Sequence, residues 1–162
     1  PHIFIKQFPR IDLPQRRRVQ LPVSIFTKTA AERAQLALSA LRIVLSALIA
    51  AHGWARFFAD AVAPFGLWLG EQGFPLGLGI AITITAVEIL GTPLLAWGKL
   101  VLPLCLTYAA IFLVGIVLVH APEGWFVVGL GRNGMEYSVL LIACLLCVGF
   151  QHMPMRRDAV KQ

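Results

Sequence analysis

The side chains with chemistry to offer in this sequence are ionisable or hydrogen-bonding residues set inside long apolar runs. Arg42 interrupts a run over 36–51, Glu88 lies within 76–97, and Tyr108 lies within 100–119. At bilayer depth a charged side chain costs at least about 2.5–3.5 kcal/mol on insertion scales, so such residues pair with one another and mark ligand or proton paths. An arginine–carboxylate pair offsets much of that cost through bidentate hydrogen bonding. With His52 as a marker of the outer surface, Arg42 falls about 15 Å below it, and Glu88 about 18 Å below Leu76, at ~1.5 Å per residue. The sequence therefore predicts that Arg42 and Glu88 face each other in the interior, with Tyr108 at a similar level. Ser39, Arg42 and Ser46 share one helical face, as do Thr85, Glu88, Gly91 and Thr92. Small and hydroxyl residues at this spacing suit close helix contacts in membranes. The pair reads either as a structural staple or as part of a ligand or proton path.

A second group is expected at the outer end of the molecule: His52, Arg56, His120, Glu123, Arg132 and Glu136. Imidazole and carboxylate together suit a metal, and His52, His120 and Glu136 are the set that would hold one. No H-x-x-x-H or E-x-x-H spacing accompanies them, so a metal is the weaker reading. Histidine titrates near neutral pH, so the same residues suit proton exchange or hydrogen bonding to a quinone headgroup. The plain alternative is that they end helices in the wet interface. Cys144 and Cys147 form C-x-x-C, a redox signal in soluble proteins. Inside a transmembrane helix that spacing does not readily close a disulfide, and apolar burial blunts thiol reactivity. They read as packing residues, as does Cys105. Gly129-Leu-Gly131-Arg-Asn-Gly134 resembles a nucleotide loop superficially, but no parallel strand precedes it.

The elements that must position these residues follow from composition. Of 162 residues, 58% are hydrophobic and 14% charged, against about 25% charged in a typical soluble domain. The fold class expected is all-α, an integral membrane four-helix bundle with an extended basic N-terminal arm. The arm is 1–28, with Pro9, Pro14, Pro22 and the Arg16-Arg17-Arg18 run. Its composition has no leader-like apolar core, and an arm of this kind is expected to lie against other membrane-protein subunits. The membrane domain is 29–155, with spans at about 34–55, 76–97, 100–119 and 135–152, and the tail is 156–162. Thr29-Ala-Ala-Glu32 fits a capping box that starts the first helix, which should run to about Phe58. Residues 60–75 read as an interfacial loop with one short helix, and 120–135 as a glycine-rich loop. Trp54, Trp68, Trp97 and Trp125 fall at span ends or in loops, as in an aromatic belt.

The net charge of +6 does not point to nucleic acid, because the basic residues cluster beside the apolar spans. There they act as topology signals and attract anionic headgroups. Arg10, Arg16, Arg17, Arg18, Lys28, Arg33, Lys99, Arg156, Arg157 and Lys161 lie in the tails and the 98–99 turn, whereas the loops at 52–75 and 120–135 hold Arg56 and Arg132. Both termini are thus expected in the cytoplasm, and the longer loops outside a bacterial inner (plasma) membrane.

These marks together resemble the DoxX family of small four-helix membrane proteins. The resemblance rests on Leu41-Arg42-Ile43, Ala51-His52-Gly53, Gly73-Phe74-Pro75, Ala86-Val87-Glu88-Ile89-Leu90-Gly91, Val119-His120, Gly124-Trp125-Phe126 and Gly134-Met135-Glu136-Tyr137. It covers about 36–150 and leaves the basic arm outside. It implies redox-associated work at the membrane, with quinone or an oxidised small molecule as the expected ligand and electrons supplied by a partner, since the chain shows no cofactor site of its own. By resemblance, Arg42, His52, Glu88, His120 and Glu136 are the functional candidates. An accessory subunit without chemistry is the alternative, and a transporter the third reading, disfavoured by four spans without a visible repeat.

Overall fold

The structure is a computed structural model that describes residues 28–129 and 131–154. The predicted arm, apart from Lys28, and the tail at 156–162 lie outside the described residues. Within them every regular element is helical: α1 (Ala30–Phe58), α2 (Val62–Glu71), α3 (Gly77–Ala96), α4 (Val101–His120) and α5 (Glu136–Gln151). Three of these, α1, α3 and α4, are long and apolar enough to cross a membrane, and α5 is a shorter apolar helix.

The expected capping box opens α1. The Thr29 hydroxyl accepts from the Glu32 amide, and the Glu32 carboxylate accepts from the Thr29 amide at 2.7 Å. Three helices end in the same way, with one residue in the left-handed region and the next amide reaching back five residues. Asp60 does this after α1 (φ 52°), Gly73 after α2 (φ 92°) and Gly98 after α3 (φ 78°). The returning bonds run from Ala61 N–H to Arg56 O, from Phe74 N–H to Leu69 O and from Lys99 N–H to Leu94 O. The last of these makes the tight turn between α3 and α4, where the sequence places Gly98-Lys99.

The register between α1 and α3 is set by a glycine. A Cβ on Gly53 would lie 2.8 Å from the Glu88 Cβ, so the two helices approach there too closely for a side chain on α1. Eleven residues back along α1, the Arg42 guanidinium lies against Gly98 at the far end of α3. The helices therefore run antiparallel, and the first turns of α1 extend about 18 Å past the end of α3 at ~1.5 Å per residue. Residues 31–37 are accordingly exposed. At the other end α1 stops at Phe58, well short of the start of α3. The vacant length is covered by α2, whose Gly66 packs against Leu78 and Gly77.

The core occupies the half of the molecule nearer the 98–99 turn. Leu45 and Ile49 of α1, Leu95 of α3, Cys105 and Tyr108 of α4, and Leu145 and Val148 of α5 close on one another there. α4 and α5 pack most extensively, and Gly149 lets α5 approach Cys105. Cys144 is half-buried and Cys147 faces outward, so the C-x-x-C pair is not an inward-facing unit.

α3 is not α-helical throughout. Residues Val87–Gly91 form a π-helical turn. Pro93 supplies the reason, since it has no N–H to return to the preceding turn. The carbonyl of Glu88 is met instead by the Thr92 hydroxyl at 2.7 Å. The Tyr108 hydroxyl donates to Val87 O at 2.8 Å, lying where a Cβ on Gly91 would be. A second π turn, Ile116–His120, ends α4.

Because the Glu88 Cβ, fixed to the α3 backbone, limits the approach at Gly53, Gly53→Leu should destabilise the protein by about 1–3 kcal/mol through overpacking. Gly79→Leu, where a Cβ meets open space, should be close to neutral. Thermal unfolding of the two variants in detergent checks this.

Candidate functional site

Glu88 is 3% exposed and emerges from the π turn of α3 toward α1. Its partner is Arg56, not Arg42. Arg56 Nη1 donates to Glu88 Oε2 at 2.7 Å and to the Thr85 hydroxyl at 3.1 Å. The guanidinium also lies over the Phe65 ring, with Cζ 4.6 Å from its centroid, which joins α2 to the pair. Thr85 passes its own hydrogen to Ala81 O at 2.8 Å. The inward stripe of Thr85, Glu88, Gly91 and Thr92 is buried as expected.

The expected Arg42–Glu88 pair is therefore corrected. With His52 at the outer surface, Arg42 would stand level with Glu88, but α1 is slid along its axis so that Gly53 meets Glu88. Arg42 consequently falls at the end of α3. Its Nη2 donates to Ala96 O at 3.4 Å, and its Nη1 donates to His152 Nε2 at 3.3 Å. His152 accepts there because its Nδ1–H is taken by Val148 O at 3.0 Å. A cation beside the C-terminal ends of helices is favourable, so Arg42, midway along α1, ties that helix to the ends of α3 and α5. Arg56, expected in an outer loop, holds the interior position instead.

Beside the ion pair, the half of the molecule away from the core encloses a cavity of about 580 Å³. Phe65, Trp68 and Leu69 of α2, Ile80 and Ile84 of α3, Ile111 and Leu118 of α4, and Leu141 of α5 make its walls. Polar lining comes from His52, Arg56, Glu88, His120, Asn133, Tyr137 and Ser138. Its size is that of a small-molecule site, and an apolar wall with few polar groups is the usual make-up of one. With Glu88 eleven residues into α3 and His120 at the end of α4, the cavity runs from mid-helix to the helix ends, about 15 Å at ~1.5 Å per residue.

The other expected residues divide. His52 and His120 both line the cavity, and His120 Nδ1–H donates to Asn133 O at 2.7 Å. Glu136 does not line it. Its carboxylate accepts from Val127 N–H at 3.0 Å, and with Gly134 N–H to Phe126 O at 3.2 Å it folds the 120–135 loop across the helix ends. Among the described residues, no three His, Cys, Asp or Glu side chains stand together as metal ligands, so His52, His120 and Glu136 do not form the metal set considered from sequence. Tyr108 acts on the backbone of the π turn rather than on either charge. Trp68 faces the cavity rather than an outer belt, while Trp54, Trp97 and Trp125 are exposed.

Sequence reasoning missed Arg56 as the partner, Ser138, and the aromatic wall of Phe65 and Trp68. Two signals were available. His52 and Arg56 are four apart, which puts them on one helical face, and Pro93 follows Glu88 closely enough to disturb its turn. No protein-family model, curated protein or solved structure matches this chain.

Removing one member of a buried ion pair strands the other charge, at a cost of about 3–5 kcal/mol. Arg56→Leu should show a loss of that order, and Arg56→Leu with Glu88→Leu should recover most of it. Arg42→Ala, which gives up two long hydrogen bonds at a helix end, should cost no more than about 1.5 kcal/mol. Unfolding free energies of the four proteins in one detergent test the reassignment of the pair.

Proposed function

We propose that this chain is a DoxX-like, multi-pass protein of the bacterial inner membrane that binds a quinone-type small molecule in the cavity beside Arg56 and Glu88. In this reading α1, α3, α4 and α5 form the four spans, α2 lies near the outer interface, and both termini are cytoplasmic. The cavity then opens toward the outer face under the 120–135 loop. The observation that carries the reading is an apolar cavity of about 580 Å³ with a nearly buried ion pair on its wall. A ring and its hydrophobic tail suit the Phe65, Trp68 and Ile84 surfaces, and a carbonyl oxygen suits a guanidinium donor. His52 and His120 line the same space and are placed to exchange protons with a headgroup.

The chain acts within a larger membrane assembly. A redox partner supplies or takes the electrons, and residues 1–28 contact the neighbouring subunit. The oxidoreductase chemistry therefore belongs to the assembly, with this chain as its quinone-holding part.

Gly115 lines the cavity, and a Cβ there meets nothing within 4 Å. Gly115→Phe should consequently fill the cavity while leaving thermal stability unchanged or higher. Decylubiquinone should quench Trp68 emission in the purified wild-type chain, and Gly115→Phe should weaken its binding at least tenfold. Absence of quenching in the wild type, or unchanged affinity in Gly115→Phe, would leave the non-catalytic accessory subunit as the better reading.

A further inference from the structure

The ion pair is engaged on one side only. Arg56 Nη1 and Glu88 Oε2 make the contact. Among the described residues, Glu88 Oε1 and Arg56 Nε and Nη2 have no hydrogen-bond partner, and none of these atoms is sealed from the accessible surface. Both residues line the cavity. A carboxylate that is 3% exposed thus keeps an acceptor oxygen open to the cavity, next to an open guanidinium edge. Ser138 adds an independent sign. It is 5% exposed and lines the same cavity, and its hydroxyl likewise has no partner among the described residues. Glu88 and Ser138 are buried residues whose unpaired atoms stay open beside the cavity, so a polar group that enters can satisfy them.

Charge decides which partner. Arg56 and Glu88 sum to zero, so a carboxylate or phosphate entering this apolar space would bring one uncompensated negative charge, at high desolvation cost. A neutral head brings none. Glu88 Oε1 is an acceptor and asks for a donated hydrogen, whereas the guanidinium edge asks for an oxygen lone pair. A hydroxyl on a ring supplies both from one atom, and the flat ring suits the Phe65 and Trp68 wall. We infer that the ion-pair end of the cavity is a subsite for an uncharged ring hydroxyl of the phenol class, bound by donation to Glu88 Oε1 and acceptance from Arg56. This rests on the cavity being a ligand site, as proposed above, and specifies the head it selects. In a quinone couple it favours the reduced, hydroxyl-bearing form.

Three probes with one tail separate the possibilities: 4-octylphenol, its methyl ether 4-octylanisole, and 4-octylbenzoate. They are titrated calorimetrically into the full chain in neutral-lipid nanodiscs, with empty discs subtracting partition into lipid. The phenol should bind at least tenfold tighter than the ether, since a hydrogen bond to a charged group is worth about 1.5 kcal/mol or more. It should also bind tighter than the benzoate. Glu88→Gln removes the negative member and leaves the site cationic, so the order should invert and the benzoate should bind tightest. An ether equal to the phenol, or a benzoate preferred by the wild type, overturns the subsite while leaving the cavity a ligand site. Binding of none of the three overturns both. If Glu88→Gln does not fold, the wild-type order of the three probes decides.

Discussion

An arginine and a glutamate that must neutralise each other inside an apolar molecule organise this structure. Either charge alone would be costly in this apolar interior, so the helices that carry them cannot slide independently. Arg56 sits three residues beyond Gly53, and Glu88 sits at the Gly53 contact, so ion pair and close packing demand the same register. Thr85 shares the guanidinium and Phe65 covers it, which draws the remainder of α3 and the short α2 into the same constraint.

That register has two consequences at opposite ends of the molecule. Toward the 98–99 turn, α1 overlaps the full run of α3 and α5, and large aliphatic side chains fill the space into a closed core. There Arg42 meets the helix ends. Toward the other end, α1 runs out before α3 begins, and α2 packs over the gap. The space is walled but not filled, and the cavity is what remains. A packed half holds the helices rigidly, and the open half presents the ion pair to whatever enters.

The π turn in α3 is where backbone and site meet. Pro93 weakens the helical ladder, Thr92 meets the carbonyl of Glu88, and Tyr108 donates to Val87 from the neighbouring helix. π turns inside α-helices frequently accompany functional positions, and here the turn carries the buried carboxylate itself. At the mouth, Glu136 and His120 tie the 120–135 loop to the helix ends. Of these two, His120 also lines the cavity, so the loop contributes both to holding the fold and to shaping the site.

The apolar runs, the capping box at Thr29, the Gly98 turn and the inward stripe around Glu88 were all determined by sequence alone, because each depends on residues within a few positions of one another. That Glu88 needs a cationic partner was likewise legible, since the cost of an isolated charge in hydrocarbon does not depend on the fold. Which arginine answers it was not legible. Arg42 and Arg56 both lie on α1, and the choice turns on how far α1 slides against α3, which is a property of the Gly53 contact between distant parts of the chain. Ser138, Phe65 and Trp68 entered the site for the same reason: an empty space has no local signature, and the tertiary structure alone decides which walls surround it.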